Sequence, residues 1–169
     1  TLHSLREQMG IMLQDSFIFS GTIENNIRYG KLDATEEEIV KASQTVCAHD
    51  FIEGLENGYQ TEMSEGGSQL SGGQRQLVSF ARTLISNPKI LILDEATSSI
   101  DAKTEKELQK GLNELLKGRT SFIIAHRLST IKNCDKIMFI NNKGITEVGT
   151  HEELLAKKGD YYNLYMAQK

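Results

Sequence analysis

A chain of 169 residues with 19 Lys and Arg against 23 Asp and Glu, a net charge of −4, fits one domain of ordinary size with room for a core. The slight acidity and the lack of a basic block argue against a general nucleic-acid binder, and no apolar run approaches the roughly 20 residues that a membrane-spanning helix needs. Two cysteines, Cys47 and Cys134, show no metal-ligand spacing and are too few for a disulfide framework, which implies free thiols in a reducing cytoplasm.

In chain order, Met9 to Leu13 is a short apolar run that predicts a strand, with Gln14 and Asp15 at its end. Thr35 and Glu38 form a capping box that opens a helix carrying Ile39, Val40, Ala42 and Val46. A shorter helical piece is expected over His49 to Tyr59. Ser71 followed by Gln74 is a second capping box, after which Leu77, Phe80, Ala81 and Leu84 repeat at helical spacing. Gly72 and Gly73 in the first turn of that helix cost roughly 1 kcal/mol each relative to alanine. In return they offer bare backbone N–H groups at the positive end of the helix dipole, where a phosphate can approach closely.

Asn87-Pro88 then forces a turn, and the unbroken run Ile90 to Leu93 predicts a strand buried on both faces, as in a parallel α/β sheet. Asp94 and Glu95 stand at its carboxyl end, where open α/β sheets place their ligands. Side chains of neighbouring residues leave a strand in different directions, so one carboxylate can hold a hard cation while the other faces a water molecule. Asp101 suits the N-cap of a helix bearing Leu108, Leu112, Leu115 and Leu116 on one face and ending at Gly118. Thr120 to Ala125 predicts another strand, with His126 at its end. Alone, a histidine in that place is more often structural than functional. Lys136 to Ile140 and Ile145 to Val148 predict a β-hairpin around Asn141 to Gly144. His151 to Lys158 and Asp160 to Ala167 predict short amphipathic helices, with His151 an N-terminal helix residue and Tyr161, Tyr162 and Tyr165 packing the last helix.

Leu70-Ser71-Gly72-Gly73-Gln74, followed at this distance by a strand ending Leu93-Asp94-Glu95, closely resembles the signature motif and Walker B of ATP-binding-cassette (ABC) ATPases, and the resemblance extends over nearly the whole chain. It implies an α/β fold, with an incomplete P-loop NTPase-like core sheet and an inserted α-helical signature subdomain: residues 1–19 in the core, 20–87 in the helical subdomain, 88–169 in the core. It implies ATP and magnesium as cofactors. Asp94 then supports magnesium, Glu95 polarises the attacking water, Gln14 is the Q-loop glutamine that serves magnesium or that water, and His126 contacts the γ-phosphate. Ala96 to Asp101 resembles the D-loop, with Ser99-Ile100 in place of the frequent Ala-Leu. Ser71, Gly72, Gly73 and Gln74 close in trans on ATP held by a second nucleotide-binding domain, head to tail.

Phe17 to Ile27 and Gly149 to Leu154 resemble the exporter branch of the family. They imply an ATPase coupled to a transmembrane domain at the cytoplasmic face of the cell membrane, with no nucleic acid involved. Glu62 to Gly67 matches in position the loop that touches the membrane domains, but lacks the arginine that commonly follows its glutamate, which weakens coupling through Glu65. A soluble ABC-type ATPase acting on DNA or ribosomes, and a non-catalytic ABC-derived module, are the competing readings.

The phosphate loop G-x-x-x-x-G-K-[ST] of such ATPases does not occur here; Gly30-Lys31 is followed by Leu32 and lacks the earlier glycine. In the family that loop and an adenine-stacking aromatic precede the segment matching Thr1. The chain is therefore expected to be the C-terminal portion of a nucleotide-binding domain. Unpaired strand edges and apolar surface beside Ile90 to Leu93 are expected with it, as are loose packing or poor solubility and negligible ATPase activity in isolation.

Overall fold

In the computed structural model the described residues are 1–13, 16–94, 102–124, 131–141 and 143–168, of which 102 and 103 by backbone alone. They fall into two compact units, Thr1–Ile124 and Ala125–Lys169, each with its own apolar core.

In the first unit the chain runs α1 (Leu2–Arg6), β1 (Met9–Met12), β2 (Gly21–Thr22), α2 (Ile23–Arg28), α3 (Glu36–Thr45), α4 (His49–Glu53), a 3-10 turn (Gly58–Gln60), β3 (Glu62–Met63), α5 (Gly72–Ile85), β4 (Ile90–Asp94), α6 (Ala102–Leu116) and β5 (Thr120–Ile124). The apolar runs that carry β1, β4 and β5 form one parallel sheet in the order β1-β4-β5, with Met12 opposite Leu93 and Asp94 opposite Ile124. Helices α2 to α5 are all inserted between β1 and β4. Their apolar stripes meet under α5, which packs against α2, α3, α6 and β1. Leu77, Phe80 and Ala81 of α5 are buried there with Leu91, Leu93, Leu108, Leu112 and Leu115.

Two expectations need correction. The run Ile90 to Leu93 is not buried on both faces: Leu91 and Leu93 are buried, whereas Ile90 and Ile92 are only partly so. The packed helices cover one face of the sheet. On the other, Ile11 is 57%, Phe122 51% and Ile124 53% exposed, so an apolar surface lies beside β4 as expected, while β1 and β5 form the edges of the described sheet. The second correction concerns His49 to Tyr59, which is not continuous helix. Gly54 ends α4, and Gly58, at φ 49°, starts a separate 3-10 turn.

The second unit contains β6 (Ile137–Asn141), β7 (Gly144–Gly149), α7 (His151–Lys157) and α8 (Asp160–Ala167). The two strands form the expected antiparallel hairpin, with Asn141 opposite Gly144, so the turn is shorter than the Asn141 to Gly144 stretch suggested. Tyr161 is fully buried against Ile137 and Leu154, and its hydroxyl meets His151 Nδ1 at 2.7 Å. His151 is thereby accounted for as a packing residue at the first position of α7. Both cysteines are free thiols, and burial pushes each thiol up from its ordinary range.

Candidate functional site

The first turn of α5 gathers four of the expected site residues. Ser71, extended at ψ 161°, caps the helix: its Oγ accepts the Gln74 N–H at 3.2 Å, and the Ser71 N–H donates to Gln74 Oε1 at 2.9 Å. This reciprocal pair fixes the entry of the chain. It leaves the N–H groups of Gly72 and Gly73, which have no acceptor inside the helix. A Cβ on Gly72 would find only Arg75 Nη2, at 3.8 Å, so the approach to that N–H is open. Arg75 braces the turn from behind, donating through Nη1 to Leu70 O at 2.6 Å. The turn leaves two donors without an intrahelical acceptor at the positive end of a 14-residue helix: that of exposed Gly72 is open to a phosphate-like anion, and that of Gly73 lies on a buried residue.

A cleft of about 540 Å³ opens beside Gln74, lined among others by Cys47, Asp50, Glu107 and Lys110. Its mixed charges give it no preference for an anion. The anion-binding character belongs to the Gly72-Gly73 backbone.

Asp94 ends β4, half-buried, at the carboxyl edge shared by the three parallel strands. Among the described residues no cation pairs with it, so its carboxylate is available to a hard, oxygen-seeking ion. No hydrogen bond or ion pair joins it to Ser71–Gln74. The structure thus assembles the signature turn and places Asp94 on a separate element. Gln14, Glu95, Asp101 and His126 lie outside the described residues. Glu65 is exposed, on the turn that leads into Ser71.

Sequence reasoning passed over Arg75, Arg82 and Asn26. Each acts through bonds to main-chain oxygens, and the sole signal for the last was a buried-register asparagine within the apolar turn Ile23 to Ile27.

The family model described as "ABC transporter" matches residues 1–98. An uncharacterized ABC transporter ATP-binding protein of Bacillus subtilis (strain 168), YknV, is 56% identical over 99% of this chain. An ATP-dependent lipid A-core flippase of Syntrophus aciditrophicus (strain SB) is 51% identical over the same share. In each case the chain spans 28% of the relative's length. Among solved structures, that of a bacterial Atm1-family ABC exporter with ATP bound superposes with a TM-score of 0.91 at 42% identity, covering 99% of this chain and 29% of that one. With a capped turn that leaves the Gly72 N–H open and a parallel sheet ending in Asp94, these matches establish that the chain belongs to the ABC transporter family.

Proposed function

We propose that the chain is part of the ATP-binding and ATP-hydrolysing domain of an ABC exporter, coupling hydrolysis to movement of a substrate across the membrane. The observation that carries this reading is the open N–H of exposed Gly72, beside the uncapped N–H of Gly73, in a turn held by the Ser71–Gln74 capping box. In it, Ser71, Gly72, Gly73 and Gln74 receive the triphosphate of ATP held by a second nucleotide-binding domain, so two domains work head to tail. Asp94 holds magnesium, Glu95 orients the attacking water and accepts its proton, and Gln14 and His126 complete the surroundings of the γ-phosphate. Asp101 belongs to the same nucleotide interface. Bound magnesium supplies neutralisation of phosphate charge, and the protein's part is to position and to exclude competing water.

A transmembrane domain is the second partner, placing the domain at the cytoplasmic face of the membrane. The relative named for flipping a lipid and the solved Atm1-family exporter support an exporter over a soluble ATPase of DNA or ribosomes. The 169 residues contain no phosphate loop, so turnover is expected from a protein that combines them with one and not from this chain alone.

The test is Glu95→Gln in an exporter carrying this sequence. Nucleotide binding is expected to persist while turnover falls by about a hundredfold or more, the range for loss of a general base. Parallel loss of binding and turnover would contradict the assignment.

A further inference from the structure

Arg82, about three turns along α5 from its cap, is a half-buried cation that no carboxylate among the described residues pairs with. Burial pulls its guanidinium down to about 10. Such a group is costly to bury and persists only where its donors are used. It donates through Nε to Asn26 O at 2.7 Å, through Nη2 to Asn26 Oδ1 at 2.8 Å and through Nη1 to Phe17 O at 2.9 Å, and it stands over the Phe19 ring, 5.0 Å from the centroid. Asn26 is itself buried with every side-chain donor and acceptor engaged: Oδ1 also accepts the Phe19 N–H at 2.8 Å, and Nδ2 donates to Phe19 O at 2.9 Å and Thr22 O at 3.0 Å. The strap from Phe17 to Thr22 therefore hangs on this Arg-Asn pair.

The strap has a second attachment. Ile18 O accepts the Gly66 N–H at 2.8 Å, and Gly67, at φ 62°, presses so closely that a Cβ would stand 2.8 Å from Ile18 Cβ. Gly21 and Thr22 pair in register with Met63 and Glu62. From Gly67 the path to the cap is short: its carbonyl accepts the Leu70 N–H at 3.0 Å, and Leu70 O accepts Arg75 Nη1. The contacts run without a gap from the last turn of α5, out through the strap, and back to the start of the same helix.

We propose that Arg82 is a positioning residue for Ser71–Gln74: its forked guanidinium fixes the strap, and the strap fixes the Gly66 to Leu70 turn from which the capped first turn of α5, with the open N–H of Gly72, is presented. Its relevance to ATP rests on the function proposed above; the positioning itself does not. Amide hydrogen exchange on the full-length protein carrying this sequence, without nucleotide, tests it, so a failure of the ATP reading would leave the outcome intact.

In Arg82→Gln the Phe19, Gly66 and Ser71 amides are expected to exchange about tenfold faster or more, while Leu91 and Leu93 of β4 change by less than about threefold. Arg82→Lys keeps the charge and loses the fork, so the same three amides are expected to accelerate to a smaller degree. Faster exchange at Phe19 with Gly66 and Ser71 unchanged, or full restoration by lysine, overturns the proposal. If Arg82→Gln unfolds the chain, Arg82→Lys decides: acceleration at Ser71 supports the proposal and its absence overturns it.

Discussion

Glu38 carries two tasks on one carboxylate. Oε2 accepts the Thr35 N–H at 3.0 Å, closing the capping box of α3, and Oε1 takes Lys31 Nζ at 2.6 Å. The Lys31 bond first, and the Thr35 N–H second, hold its carboxyl below the usual range, and the bond to Glu38 raises the Lys31 amine. The signs follow from linkage. Glu38 contributes stability above the ordinary carboxylate range and loses it as pH falls through its lowered value; Lys31 contributes below the ordinary amine range and loses it as pH rises through its raised one. Both side chains are exposed to solvent, so the contribution is small. Lys31→Met should raise the Glu38 midpoint toward the ordinary value without reaching it, because the Thr35 N–H remains. A carboxyl NMR titration with an unchanged midpoint would contradict this. At this scale the capping residues were legible, since a cap is a local spacing rule. Arg82 and Asn26 were not: their bonds join positions far apart in the chain, and nothing in the sequence pairs them.

Among elements, α5 shows how far a spacing rule reaches. Its start, its cap and its buried face were readable from Ser71, Gln74, Leu77, Phe80 and Ala81. The same rule operates at Thr150 and Glu153, which cap α7. Ser71→Ala removes one of the two capping bonds and should lower stability by about 1 kcal/mol, read as a shifted denaturation midpoint; no shift would mean that Gln74 alone secures the turn. Strand β4 was legible as a strand and misjudged in its surroundings. A run of Ile and Leu reports that a segment is apolar, while which faces are covered depends on where other elements pack. The two-residue pair β2 and β3 was missed altogether, because it is too short for any alternation to show. Gly30 repays attention for the opposite reason: dismissed as a phosphate-loop glycine, it packs so tightly on the Arg82 carbonyl that a Cβ would collide with it.

The whole molecule joins a nearly complete match to a small share of each relative: 99% of this chain is covered, yet it spans only 28 to 29% of the proteins it resembles. Within the first unit, one side of the sheet is packed by α5 and α6, while Ile11, Phe122 and Ile124 stand exposed on the other. An apolar face of this kind favours association. The proposed function requires the first turn of α5, at Gly72 and Gly73, to meet a triphosphate bound by another domain. The most direct measurement is the structure of an ATP-loaded, Glu95→Gln exporter carrying this sequence. Ser71–Gln74 is expected within hydrogen-bond distance of the γ-phosphate of ATP held by the opposite nucleotide-binding domain. Finding that turn directed into solvent, with no nucleotide from a neighbouring domain in reach, would contradict it.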